Sequence, residues 1–256
     1  MLDPELLWPA LAVAGLVSGF VNVAAGGGST LVLPLLVLFG LPADVANGTN
    51  RLNVLTQSLT GFTTFYRAGR VETKGVLPLV GASAAGAVVG AALASRVPEP
   101  VLRWVLLLTM LAVAVAMIAL PALVPGAGVE RPLRLRESPF GTLGVFAAAL
   151  YGGFVQAGVG LVLVAVLGGL LRYDLVRANA LKMLCTFVYG SVALAVFAWT
   201  GQVAWGPAAV LAVTSALGAW LGVRFTLRIP AAWLRWFVLV GVVVVVVAAL
   251  AASGRG

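Results

Sequence analysis

Long apolar runs alternate with short polar breaks along this 256-residue chain. The runs near 8–25, 76–95, 101–121, 139–157, 204–223 and 233–252 are each long enough to cross roughly 30 Å of hydrocarbon, which takes about 20 helical residues. Two further stretches, near 44–66 and 175–198, have the length of a crossing but carry polar residues. Barrel strands would alternate in polarity over about ten residues, whereas these runs are continuous and rich in Leu, Val, Ala and Gly, so the pattern predicts helices. The first ten residues, MLDPELLWPA, lack the Lys or Arg that opens a secretory signal, which predicts that the first apolar run stays in the mature protein.

The pattern occurs twice. Shifting the chain by 132 residues lays Ser83–Leu107 on Ser215–Leu239 with eleven matches, among them an Arg-x-Pro followed by Leu-Arg-Trp. The same register pairs Ala46-Asn47 with Ala178-Asn179, Phe65 with Phe197 and Gly69 with Gly201. After a two-residue gap it sets "GFVN" at Gly19 against "GFVQ" at Gly153. The expected division is a first transmembrane repeat at 1–124, a polar cytoplasmic linker at 125–139 and a second transmembrane repeat at 140–256.

The first apolar region is interrupted by "AAGGGSTLVLP". If the chain turns there and leaves on the side it entered, with the N-terminus outside, the cytoplasmic loops hold Arg67, Arg70, Lys74, Arg131, Arg134, Arg136, Arg172, Arg177, Arg224, Arg228 and Arg235. The outside then holds only Arg96, Arg103 and Arg255. Reading 8–39 as one long crossing evens out the loops, so the excess of cytoplasmic cations favours the interrupted version. Each repeat then crosses an odd number of times and the two are inverted. The fold class expected is an all-α polytopic integral membrane protein: two inverted repeats, each a broken or re-entrant helix pair plus three transmembrane helices, an architecture recurrent in transporters.

Consecutive glycines weaken a helix by about 1 kcal/mol each, and in lipid the freed backbone groups need protein or water. A helix starting at Ser29 would aim its free N–H groups and positive end at the break, where an anion is stabilised. Gly26, Gly27, Gly28, Ser29 and Thr30, with Asn22 alongside, are therefore candidate binding residues. The second copy offers Gln156, Gly158 and Gly160, so that both halves would present a helix end to one site. In contrast, "GAVVGA" at Gly86 and "GAWLGV" at Gly218 read as close-packing surfaces.

The polar stretch after the first break places Asn50, Asn53, Gln57, Thr60 and Thr64 on one helical face. Such a face should line a water-filled path or contact the other repeat. Its second-half counterpart carries Lys182, Cys185 and Tyr189. Arg51 and Lys182 are the basic residues well inside these spans, at roughly 2.5–3.5 kcal/mol each for a mid-helix position. Two readings stand: they snorkel or neutralise Asp44 and Asp174, or they hold an anion together with Asn47, Thr49, Asn50 and Asn179.

Charge and chemistry narrow the classes. A net +8 in a membrane chain is first a topology signal, and nucleic acid is not an expected partner. With no histidine and one cysteine, Cys185, neither a Ser-His protease nor a His or thiolate metal site can be built. No metal and no cofactor are expected. An intramembrane enzyme and a membrane subunit that requires a partner remain the alternatives to a permease.

The Gly-Gly-Gly-Ser-Thr-Leu segment ending at Pro34, the Ala-Asn-Gly-Thr-Asn helix start at Ala46 and the repeated Arg-x-Pro…Leu-Arg-Trp region resemble the sulfite exporter TauE/SafE family of membrane permeases. The resemblance spans about Gly15 to Leu250. It implies a multi-pass permease of the bacterial plasma (inner) membrane that moves sulfite, thiosulfate, sulfonates such as sulfoacetate, or related organic acids. It also implies site segments Gly26 to Thr30, Gln156 to Gly160, Asn47 to Arg51 and Asn179 to Lys182. The second half departs from the first by placing Leu181 and Lys182 where Thr49 and Asn50 stand. The expected partners are a small anion and the lipid bilayer; import would add a coupling ion, proton or sodium, and a homo-oligomer is left open.

Overall fold

The computed structural model describes residues 4–24, 28–71, 76–98, 101, 104, 105, 108, 132–156 and 158–229. The apolar runs expected at 101–121 and 233–252 lie wholly or largely outside them. Within the described residues the chain is helical and without strands. The first half forms α1 (Pro4–Ala24), α2 (Ser29–Leu38), α3 (Ala43–Arg67) and α4 (Val76–Ala94). The second forms α5 (Pro139–Phe154), α6 (Val159–Ala165) passing into one π turn (Val166–Leu170), α7 (Leu175–Trp199) and α8 (Trp205–Arg228).

Local chemistry starts and stops these helices. Ser138 accepts from the Gly141 N–H and Pro139 takes the first position of α5, where its missing N–H costs nothing. Asp174 accepts from the N–H groups of Val176 and Arg177, both at 3.0 Å, and so caps α7. Gly69 and Gly201 take positive φ, 69° and 73°, immediately after α3 and α7, the left-handed geometry that ends a helix at little cost for glycine. These two glycines are partners in the 132-residue register.

Both interruptions make hairpins. At about 1.5 Å per residue, α2 extends roughly 15 Å, half a bilayer. It doubles back along α1: Gly28 sits against the Ser18 carbonyl, and Val32 and Leu36 join Leu11 in one buried cluster. The α5–α6 hairpin closes the same way, with Gly144 against Val166 and Gly141 against Leu171. Among the described residues four helices, α1 from Leu7 onward, α4, α7 and α8, are long and apolar enough to span a membrane. α3 is too polar to be among them, yet it lies along α7 for its whole length.

The halves are interlocked. The α1–α2 hairpin packs with α3 and α8, and the α5–α6 hairpin with α7 and α4. Glycine permits the closest of these approaches: Gly86 and Gly90 rest on the carbonyls of Phe146 and Leu150, while Gly218 and Gly222 rest on those of Leu16 and Phe20. Between these two bundles α3 and α7 run antiparallel, with Gly48 at Phe197, Leu55 at Gly190 and Gly61 at Met183.

The contacts correct one alignment. Gly218 on Leu16 and Gly86 on Phe146 match α1 to α5 at a shift of 130 residues, as do the helix ends at Ala24 and Phe154 and the restarts at Ser29 and Val159. The "GFVN"/"GFVQ" match is thus one helical turn out of place. Gln156 corresponds to position 26, not to Asn22, and Gly158 corresponds to Gly28. A four-residue string recurring in a Gly- and Ala-rich helix does not fix its register, whereas a backbone-to-backbone contact does.

Gly218→Leu and Gly86→Leu should each lower stability by at least about 1–3 kcal/mol, the usual cost of overpacking, because the new side chain meets backbone that cannot yield. Gly81 in α4 has open space around it, so Gly81→Ala should raise stability by up to about 1 kcal/mol. Thermal melts in detergent measure both.

Candidate functional site

A helix that stops inside hydrocarbon leaves its last carbonyls without partners. At both interruptions the missing donor is a buried cation from the other half. Arg51 on α3 reaches the end of α5: Nη1 donates to the Gly152 carbonyl, and Nη2 to those of Gly153 at 2.9 Å and Phe154 at 3.1 Å. Lys182 on α7 reaches the end of α1, Nζ donating to the Asn22 carbonyl at 2.7 Å and to Val23 at 3.4 Å. Both side chains are fully buried. A cation at a helix C-terminus also meets the negative end of the helix dipole, about half an elementary charge.

An asparagine one turn earlier steadies each cation. Asn47 Oδ1 accepts from Arg51 Nη2 at 3.1 Å, and Asn47 Nδ2 donates to the Phe154 carbonyl at 3.0 Å. Asn179 Oδ1 accepts from Lys182 Nζ at 2.8 Å. The Phe197 ring lies 5.0 Å from the Arg51 guanidinium carbon, a cation–π contact. Among the described residues neither cation has a carboxylate partner. Asp44 accepts from Gln202 Nε2 at 3.0 Å, and Asp174, besides capping α7, pairs with Arg177 at 3.3 Å. Pairing with those acids therefore does not account for Arg51 and Lys182, and with no exposed surface they do not snorkel.

The candidate residues divide between the two cations. Asn47, Arg51, Gln156 and Gly158 belong to the α5–α6 interruption, and Asn22, Asn179, Lys182, Gly28 and Ser29 to the α1–α2 interruption. The two interruptions adjoin: Val155 shares a buried cluster with Leu33 of α2, and Ala24 shares one with Val164 of α6. Thr49 is turned elsewhere: its hydroxyl accepts from the Ala204 N–H at 2.9 Å, at the start of α8. Gly160 is buried in the first turn of α6 and Thr30 lies in the first turn of α2. Gly26 and Gly27 lie outside the described residues.

A buried column runs along α3. Asn53 Nδ2 donates to Asn50 Oδ1 at 2.8 Å, but among the described residues Asn50 Nδ2, Asn53 Oδ1, both amide atoms of Gln57 and the Ser58 hydroxyl have no hydrogen-bond partner. Each unpartnered buried group costs about 1–3 kcal/mol, a cost that water or a polar solute on this face would remove. In the 132-residue register the α7 counterparts of Asn53 and Gln57 are Cys185 and Tyr189, which sit in the apolar cluster of the second bundle. Gln57 and Ser58 were not among the sequence candidates as binding residues. The spacing placed Gln57 on the polar face, but only packing shows that its amide is buried and unpaired.

Comparison with known proteins agrees with this architecture. Residues 11–249 match the model of the family described as "Sulfite exporter TauE/SafE". The chain is 31% identical over 218 residues to a Sinorhizobium protein named "Probable membrane transporter protein ORF9", covering 85% of this chain and 82% of that one. It is 27% identical over 227 residues to "Probable membrane transporter protein YfcA" of Escherichia coli K12, covering 89% and 83%. A Haemophilus influenzae "Probable membrane transporter protein" is 27% identical over 217 residues, covering 85% and 84%. A duplicated, multi-pass helical chain with paired interruptions, matched by the family model along almost its full length, belongs to the sulfite exporter TauE/SafE family of membrane transporters.

Proposed function

We propose that this transporter is a secondary permease for small anions, sulfur oxyanions or sulfonates such as sulfite, thiosulfate and sulfoacetate above all, or related organic acids, in the bacterial plasma membrane. The observation that carries the reading is two fully buried cations with no carboxylate partner among the described residues. Their charge is offset by helix ends, asparagine carbonyls and one aromatic ring, none of them an anion, so the interior keeps a positive potential that an anion can occupy. The family's printed name supports the sulfur-containing class.

The two halves act as inverted repeats in this reading, consistent with the antiparallel course of α3 and α7. Arg51 with the α5 end closes one side of the path, and Lys182 with the α1 end closes the other. The anion binds midway between the interruptions, beside the amide column of α3. Rocking of one bundle against the other loosens one cation from its carbonyls at a time and frees its donors for the substrate. An inside-negative membrane potential contributes about 2.3 kcal/mol per charge per 100 mV and drives export without further coupling.

In liposomes containing the purified protein alone, the anions named above should move without ATP. A potential of about 60 mV should sustain roughly a tenfold gradient of a monovalent substrate. Absence of flux for every one of them would favour a subunit that needs a partner, and turnover of a lipid or peptide would favour an enzyme. Arg51→Ala and Lys182→Ala should insert normally but lower transport at least tenfold. Normal transport by both variants would overturn the site assignment. Arg51→Lys, which keeps charge but not the fork geometry, should melt above Arg51→Ala.

A further inference from the structure

Gln156 lies in the second interruption, between the end of α5 at Phe154 and the start of α6 at Val159. Its φ is +68°, in the left-handed region where a side chain costs roughly 1 kcal/mol or more relative to glycine. Its backbone N–H donates to the Tyr151 carbonyl and its own carbonyl accepts from the Val159 N–H, both at 3.4 Å; glycine would make the same bonds. The side chain is 2% exposed, and among the described residues neither Oε1 nor Nε2 has a hydrogen-bond partner. For the fold alone, glycine would be the better residue. Glycine is what the first half carries at the equivalent position, since Gly26 stands as far before α2 as Gln156 stands before α6.

Two costs therefore fall on one side chain, backbone strain and an unpaired buried amide, and no contact among the described residues offsets either. The three carbonyls just before it, Gly152 to Phe154, are held by Arg51, whose Nε also lacks a partner. The carboxamide thus follows directly on a helix end held by a cation, with a donor and an acceptor unpaired among the described residues. Strain kept at such a point marks a side chain held for a ligand.

We infer that Gln156 is a specificity-determining residue of the transport site, its Nε2 donating to an oxygen of a small oxyanion in the field of Arg51. The inference rests on the permease reading. It assigns selection to one half, because a glycine at position 26 offers no side-chain donor. Asn50 and Gln57 supply neutral hydrogen bonds further along the path, and Gln156 discriminates among anions of equal charge.

The test uses full-length protein in liposomes and in detergent, with sulfite, thiosulfate, sulfoacetate and acetate as probes. Gln156→Gly should raise the melting temperature by a few degrees, yet raise KM for the preferred anion at least tenfold with kcat within about threefold, and flatten the preference among the four. Gln156→Glu, equal in size but without the donor and negatively charged, should lose at least a hundredfold in flux. Unchanged KM and preference in Gln156→Gly, or normal flux in Gln156→Glu, would overturn the assignment while leaving the permease reading intact. Anion-induced stabilisation of wild type that Gln156→Gly lacks, with no flux by either, would overturn the permease reading and keep the assignment. Neither binding nor flux with any probe would overturn both.

Discussion

In hydrocarbon a helix cannot end for free. The carbonyls of its last turn lose their intrahelical donors where no water can replace them, at several kcal/mol for each group. This chain ends two helices inside its apolar interior, at Ala24 and Phe154, and supplies both with a cation. A lone buried charge is itself a liability of comparable size. Arg51 on the α5 end and Lys182 on the α1 end bring the two liabilities together so that each relieves the other.

That exchange also links the two halves. Each cation belongs to one half and each capped helix to the other, while the glycine contacts of α4 on α5 and of α8 on α1 interlock the same halves through backbone. The two kinds of contact differ in their capacity to move. Backbone packed on backbone permits no rearrangement short of separation, whereas an Arg or Lys head can exchange a carbonyl for another acceptor. Relative motion of the bundles is therefore expected at the cation clamps and not at the glycine seams.

The duplication is not chemically even. Side by side in the register, Asn53 and Gln57 of α3 face Cys185 and Tyr189 of α7; the first pair leaves amide atoms unpartnered, and the second is absorbed into apolar packing, with the Tyr189 ring against Gly152. Gln156 against Gly26 repeats the unevenness at the interruptions. A shared backbone plan thus carries amides on α3 that are unpaired among the described residues, and a glutamine in the second interruption where the first has glycine.

Much of this was legible in the chain itself, because it depends on properties local to each segment. Run length and continuity predicted α1, α4 and α7 to within a few residues, and the glycines after Ala25 predicted a restart at Ser29, whereas the crossing expected at 139–157 is a 16-residue helix, α5, that stops at Phe154. The spacing of Asn50, Asn53, Gln57, Thr60 and Thr64 marked the polar face of α3, and Arg51 and Lys182 stood out as cations inside the expected spans. Partners distant in sequence were not legible: which carbonyls the cations meet, that each interruption packs on the other's short helix, that Thr49 serves α8, and that Gln156 answers to position 26. Sequence alone determined where the helices break and which residues are too polar for lipid, since both follow from backbone propensity and transfer cost. Only the tertiary structure decided what satisfies each break, because a hydrogen bond across more than a hundred residues depends on how the two halves interlock.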